Sequence, residues 1–394
     1  MKLRDSIRLY GLFNFAFSFD LYAAIKVVVF YGLTHSYSAA AGLISLTLLS
    51  SAFAEVPTGL FSDLIGRNRT IIIGSFSILI GYILFAIRFD SMFLAAGAII
   101  EGVGLALFSG NNNAYLHNLL SDEREQGHYH HYYGRMMSIN TFSSVVGVFA
   151  GGWIATWSVS LLLWLNVIPK CVCFITSLLL RDVTREDHID INIYNHLRGA
   201  VREIRGNATL RYASLSTILG GAGFAAGELQ AAAFAVVWPT WAVGIAKGIQ
   251  AIAGIPGYYY AGKLIDRFGA VRIMAAGMVT SVLGNVLTGL VRSVVSPLFV
   301  MCSLPFYGPA DTAQQLVLQQ EFTEGQRATI ASLNSLGHSI SASIVLYVCG
   351  IIASHDGPFI ALLSTQVFLI PSIYYQSRFF KTVGSSTGTT ENIT

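Results

Sequence analysis

The stretch from Glu55 to Arg69 reads E-V-P-T-G-L-F-S-D-L-I-G-R-N-R. It ends one long apolar run at Ser62, gathers Asp63, Arg67 and Arg69 within about two helical turns of chain, and gives way to a second apolar run at Thr70. Two apolar runs joined by a short charged corner make a membrane hairpin. The corner has a copy. Gly59, Asp63 and Gly66 recur as Gly262, Asp266 and Gly269 in G-K-L-I-D-R-F-G-A-V-R, Gly262 to Arg272, again between apolar runs. A repeat at about 200 residues in a chain of 394 predicts two similar halves.

Composition agrees. Hydrophobic residues make up 54% of the chain and charged residues 11%, and the mean hydropathy is +0.59. A soluble domain carries about a quarter charged residues, so lipid is the solvent for most of this chain. At about 20 residues per span, the apolar segments accommodate about twelve helices. In the first half they are predicted over Ile7–Leu33, Ser38–Ser62, Thr70–Ile87, Ser91–Leu119, Met136–Trp157 and Ser158–Leu180. In the second they cover Tyr212–Trp238, Thr240–Gly262, Val271–Leu290, Ser296–Gln320, Ala328–Ile352 and Pro358–Tyr375. A barrel would alternate polar and apolar residues, and Ser91 to Leu107 does not.

The net charge of +3 follows topology rather than partners. Lys2, Arg4, Arg8, Arg67, Arg69, Arg124, Arg135, the cluster from Arg181 to Arg211, Lys263, Arg267, Arg272, Arg327, Arg378 and Lys381 fall on one side, Arg88 and Arg292 on the other. The basic side is cytoplasmic, which puts both termini inside a cell (inner or plasma) membrane. The charged start leads straight into a span too long for a signal peptide. Basic residues spread over many short loops rather than gathered on one face do not indicate nucleic-acid binding. Cys171, Cys173, Cys302 and Cys349 lie within predicted spans and read as small buried hydrophobes. His128, His130 and His131, in the loop Ser121 to Arg135, read as a solvated interface rather than a metal site. The domains expected are 1–180, a linker over 181–211 whose second part is a surface helix, 212–381, and a disordered cytoplasmic tail over 382–394.

Both corners resemble the signature loop between the second and third helices of each half of a major facilitator superfamily transporter. Arg67 and Arg272 stand at the family's basic positions, and Leu64 and Ala270 stand where a further basic residue is usual. The resemblance implies an all-α membrane fold with two pseudo-symmetric six-helix halves that rock about a central site, and no cofactor. Glu55, Gly59, Asp63, Gly66 and Arg67, with Gly262, Asp266, Arg267, Gly269 and Arg272, are then gating elements. The glycines would let helices approach closely, and each aspartate would sit at a helix N-terminus. E-V-P-T-G looks like a bacterial subgroup of drug and metabolite proton antiporters. Gly147, Gly151 and Gly152 resemble the antiporter motif G-P-x-x-G-G of the fifth helix, with Val148 at the proline. The subgroup's R-x-x-Q-G-x-G in the fourth helix is matched by Ala98, Glu101, Gly102 and Gly104, without the arginine.

In that family the first and fourth helices of each half line the cavity, and Asp20, Lys26, Glu101, Glu228 and Asp311 all lie on those spans. An ionisable group in hydrocarbon costs on the order of a few kcal/mol, so each must face protein or water. Asp20, Glu101 and Glu228 are the proton-coupling candidates. Ion pairs Glu101–Lys26 and Glu228–Lys247 are the structural alternative. Asn14, Lys26, Asn111, Asn113, Tyr115, Gln230, Asp311 and Gln314 are candidates to hydrogen-bond a substrate, with Phe17, Tyr22 and Phe306 as an apolar wall. Three consecutive asparagines, Asn111 to Asn113, point in three directions, so at least one must face protein or water. Lys170 and His338, mid-span in the sixth and eleventh helices, receive no role. The leading expectation is proton-coupled export of a small amphipathic compound, such as a drug or siderophore, by a monomer. The alternatives are an importer or facilitator, and a membrane sensor or assembly subunit that moves nothing. No nucleophile and base, phosphate loop or metal spacing suggests an enzyme.

Overall fold

The computed structural model describes residues 3–88, 90–109, 111–122, 128–183, 193–321 and 327–387. Within these ranges the side chains at 56, 59–61, 63, 64, 130, 193–197, 315, 317–321, 327, 328 and 383–387 are outside the description. The packing of Gly59, the side chains of Asp63 and His130, linker residues 184–192 and tail residues 388–394 therefore lie outside the described residues.

The described chain is all-α. In the first half the helices are α1 (Leu3–Ser18), a 3-10 turn (Ala23–Ile25), α2 (Lys26–Thr34), α3 (Tyr37–Ile65), α4 (Arg67–Ile87), α5 (Ser91–Phe108), α6 (Asn111–Asp122), α7 (Tyr129–Trp157) and α8 (Val159–Leu179). Then come α9 (Ile193–Gly206), α10 (Ala208–Leu219), α11 (Gly221–Val237), α12 (Thr240–Phe268), α13 (Ala270–Val291), α14 (Ser296–Met301), α15 (Leu304–Glu321), α16 (Arg327–Asp356) and α17 (Pro358–Thr387). Ten described segments are long and apolar enough to cross a membrane; α12 and the α14–α15 pair fall outside that count. Large apolar side chains stand exposed, among them Phe53, Phe142, Trp157 and Ile168, as a lipid-facing surface requires.

Short joins are set by local chemistry. The side chains of Ser36, Asp90 and Ser158 accept from Ala39, Phe93 and Leu161 N–H at 3.3, 2.9 and 3.2 Å, capping α3, α5 and α8. The signature corners close identically. Gly66 has φ 95°, ψ 151° and Gly269 has φ 81°, ψ 144°, a region that essentially only glycine occupies. Each donates its N–H to the residue four before it, Ser62 at 2.9 Å and Ile265 at 2.8 Å. At the far ends of α4 and α13, Arg88 (φ 53°, ψ 38°) and Arg292 (φ 47°, ψ 40°) both adopt the left-handed conformation. Backbone angles thus repeat where side chains have diverged. Gly262 differs from expectation: a Cβ there would meet nothing within 4 Å, so no close helix approach explains it. Neither α4 nor α13 has a side-chain cap, and Asp266, Arg267 and Arg272 are exposed.

The chain forms two compact units, residues 1–189 with 239–248, and residues 190–238 with 249–394. In the second, α9 lays Ala200 against Leu210 and Ile330, with Ile204 and Leu333 packed alongside, while Arg198, Arg202 and Arg205 stay exposed. The apolar residues of α9 thus dock on α10 and α16.

Four segments expected as single helices are interrupted: α1 to α2 around residues 19–25, α5 to α6 at Ser109, α10 to α11 at Gly220, and α14 to α15 at 302–303. They are the first, fourth, seventh and tenth predicted spans. The other long helices, α3, α4, α7, α8, α12, α13, α16 and α17, run without interruption.

Candidate functional site

In the first unit the break between α1 and α2 falls in F-S-F-D-L-Y-A-A-I, Phe17 to Ile25, which contains neither glycine nor proline. Opening a helix there strands backbone groups in a nonpolar setting, and each must find a new partner. In a continuous helix Leu21 N–H would bond Phe17 C=O, and Tyr22 N–H would bond Ser18 C=O. Here Leu21 N–H donates to Asn166 Oδ1 at 3.0 Å and Tyr22 N–H to Asp20 Oδ1 at 3.1 Å. The carbonyls of Phe17 and Phe19 accept from Lys170 Nζ at 2.8 and 3.0 Å. Asn166 and Lys170 lie one turn apart on α8, on one face, so a single helix supplies both acceptor and donor.

Asp20 is the hub of this joint. Its Oδ1 accepts from Asn166 Nδ2 at 2.8 Å and its Oδ2 from Tyr82 Oη at 2.5 Å. The Lys170 ammonium lies 4.9 Å from the centroid of the Tyr82 ring, so Tyr82 joins carboxylate and cation. The glycines of α7 face the same joint. A Cβ on Gly147 would come within 2.7 Å of Asp20 O, and one on Gly151 would overlap Leu21 C=O. Gly152 packs against Gly244, where a Cβ would meet the Gly244 Cα at 2.8 Å. Gly147 and Gly151 therefore admit the opened backbone of the first span.

A second polar group sits beside it. Lys26 Nζ bonds both oxygens of Glu101, at 2.8 and 2.9 Å, and Thr47 Oγ1 donates to Glu101 Oε2 at 3.1 Å. The side chains are 13% and 4% exposed. The ion pair weighed for these two residues is thus present, binding α2, α3 and α5.

At the α5–α6 break, Asn111 is buried and joined to α3 through Ser62 Oγ, while its Nδ2 donates to Leu107 C=O at 2.9 Å. Asn112 Nδ2 donates to Asn14 Oδ1 at 3.0 Å, and Tyr10 Oη to Asn112 Oδ1 at 2.7 Å. Asn14 Nδ2 in turn donates to Tyr10 C=O at 2.8 Å. Asn113 is exposed, and the buried Tyr115 donates to Arg181 C=O at 2.8 Å. Asn14, Asn111 and Tyr115 are therefore bonded within the protein. Phe17 stacks on Phe108 at 4.3 Å, and Tyr22 is buried against Tyr82 at 5.5 Å. Glu55 Oε1 accepts from Ser109 Oγ at 2.8 Å, tying the E-V-P-T-G stretch to the same break.

The second unit repeats the theme with different residues. His338 Nδ1 lies 3.0 Å from Thr217 C=O, and Ser372 Oγ donates to Ser216 C=O at 2.8 Å, both just before the α10–α11 break. A Cβ on Gly221 would meet His338 C=O at 2.6 Å. Gln230 Nε2 donates to Asn285 Oδ1 at 2.9 Å, and Asp311 Oδ2 accepts from Tyr258 Oη at 3.0 Å. Gln314 faces a small cleft with Ser216, Thr217 and Gln376, Glu228 is partly buried, and Phe306 is exposed; Lys247, which belongs to the first unit, is partly buried there. Lys170 and His338, given no role from sequence, both serve carbonyls at a break. The signal was a basic side chain mid-span with no acidic residue within reach along its own helix.

The arrangement provides two interrupted, polar-lined helices in each unit, the construction that membrane carriers use for binding at depth. The Major Facilitator Superfamily profile matches residues 9–346. No curated protein sequence matches significantly. Among solved structures, the nucleoside transporter NupG is similar at a TM-score of 0.75 and 13% identity, covering 97% of this chain and 99% of that one. A bacterial homologue of the human lysosomal transporter Spinster, inward-facing and unoccupied, gives 0.71 and 15%, over 96% and 97%. A D-xylose–proton symporter gives 0.66 and 14%, over 96% and 98%. At such identities these likenesses speak for the fold alone. Profile, helical architecture and fold agree: the chain belongs to the Major Facilitator Superfamily and is a multi-span membrane protein of the secondary transporter type.

Proposed function

We propose that this protein is a twelve-span secondary active transporter that moves a small amphipathic organic molecule by alternating access, coupled to protons through Asp20. One observation carries the reading. The interruptions fall on the four spans that the family uses to line its cavity, and on none of the other long helices. Opened backbone at depth is tolerated where it is buried in protein or lines a wet cavity, and its free N–H and C=O groups can then bind solute. Asn113, Gln230, Asp311 and Gln314 supply hydrogen bonds to the substrate, and Phe306 supplies apolar contact. Glu101, bonded to Lys26 and Thr47, serves as a structural anchor, which leaves Asp20 as the first proton carrier and Glu228 as the second.

Export is the direction favoured by the resemblance of E-V-P-T-G to the drug and metabolite antiporters. Uptake is the second reading, supported by a fold neighbour named as a proton symporter. Flux in proteoliposomes, with a panel of nucleosides, sugars, siderophores and amphipathic dyes and an imposed proton gradient, tests both. Substrate movement against its own gradient, opposite to protons for export and with them for uptake, is expected. Asp20→Asn should abolish the response to the proton gradient while counterflow persists. Undiminished gradient-driven flux in folded D20N protein removes Asp20 from coupling.

A further inference from the structure

The joint between α1 and α2 is built like a cation site, and an ammonium stands in it. Lys170 Nζ is held by the carbonyl oxygens of Phe17 and Phe19, at 2.8 and 3.0 Å, and rests on the face of Tyr82, 4.9 Å from the ring centroid. Lys170 is 3% exposed. Tyr82 carries the Asp20 carboxylate on its hydroxyl, so a carboxylate stands beside the freed carbonyls. Oxygen dipoles of an opened helix next to a carboxylate are what a hard monovalent cation takes in place of its water. A buried lysine normally bonds a carboxylate directly or snorkels to water. Lys170 instead spends its hydrogen bonds on backbone.

We propose that Lys170 is a tethered cation: its ammonium occupies a monovalent-cation site whose oxygens are Phe17 C=O and Phe19 C=O, with the face of Tyr82 beside it and the Asp20 carboxylate behind Tyr82 as the nearby negative charge, and removing the ammonium makes that site bind Na⁺ or K⁺. Lys26 is bonded to both oxygens of Glu101, which makes the Lys170 ammonium the main counter-charge for Asp20. The protein consequently needs no metal ion to hold the opened first span. This inference does not depend on which substrate is carried or in which direction.

The test uses purified full-length protein and thermal unfolding in NaCl, KCl or choline chloride at equal ionic strength. Wild type should unfold at the same temperature in all three. Lys170→Ala should be less stable in choline and regain a saturable Tm increase of roughly 2–5 °C in one or both metal salts, as expected for a ligand that binds the native state alone. Lys170→Met, which fills the space with an apolar chain, should show no such response, nor should the double variant K170A/D20N. A flat response in K170A, an equal response in wild type, K170M or the double variant, or failure to recover folded K170A from metal-rich and metal-poor media alike, would each overturn the proposal.

Discussion

The Lys26–Glu101 pair gives the sharpest quantitative prediction. At 2.8 Å and an effective dielectric of about 20, two unit charges attract by about 6 kcal/mol. Desolvation offsets much of that gain, so the pair adds little net stability over a neutral, well-packed pair, whereas deleting one partner strands a buried charge at about 3–5 kcal/mol. Lys26→Met and Glu101→Gln should therefore each destabilise by about 3–5 kcal/mol. The double variant should be closer to wild type than the sum of the singles, with a coupling energy of about 2–3 kcal/mol. Reversible unfolding in mixed micelles, followed by tryptophan fluorescence across the four proteins, measures all three quantities. Additive effects with each single below about 1 kcal/mol, the range of solvent-screened pairs, would refute the reasoning, because they would mean that water reaches the pair. A Glu101→Gln protein of full stability that loses only its proton-driven flux would move Glu101 from anchor to carrier.

Two further predictions concern glycine. Gly151→Ala should destabilise by about 1–3 kcal/mol or more, because its Cβ would overlap Leu21 C=O; Gly134→Ala, whose Cβ meets nothing within 4 Å, should be neutral or stabilising in the same melts. Gly66→Ala and Gly269→Ala should each cost about 1–3 kcal/mol because of the positive φ, and similar losses at the two sites would show that the repeated backbone angle, rather than local packing, is the constraint.

Much of the architecture was legible because membrane helices announce themselves through length, apolarity and charged corners, and because Gly66 and Gly269 mark backbone angles that other residues resist. Helix ends were less legible. Polar residues such as Tyr129 to Arg135 mark where lipid ends, while α7 already begins at Tyr129. Three interruptions had local warnings, at Ser109-Gly110, at Gly220-Gly221 and at Ser303 ahead of Pro305. The fourth had none, since its cause lies in Asn166 and Lys170, far away in sequence. Asp20 and Glu101 were singled out because carboxylates are conspicuous in apolar runs. Tyr82 and Asn166 were passed over because a phenol and an amide in a helix carry no such flag.

That remote cause bears on how the chain is made. The amide of Leu21 and its acceptor on Asn166 are separated by 145 residues. At roughly 5–20 residues per second, the ribosome needs on the order of 7–30 s to bridge that gap. During this interval the backbone groups of Phe17, Phe19 and Leu21 lack the partners that Asn166 and Lys170 later supply, and lipid offers none. The nascent segment must then either wait at the insertion machinery or enter the bilayer as an unbroken helix that satisfies itself. In both cases the opening of the first helix is a late event of biogenesis, completed when the sixth helix arrives.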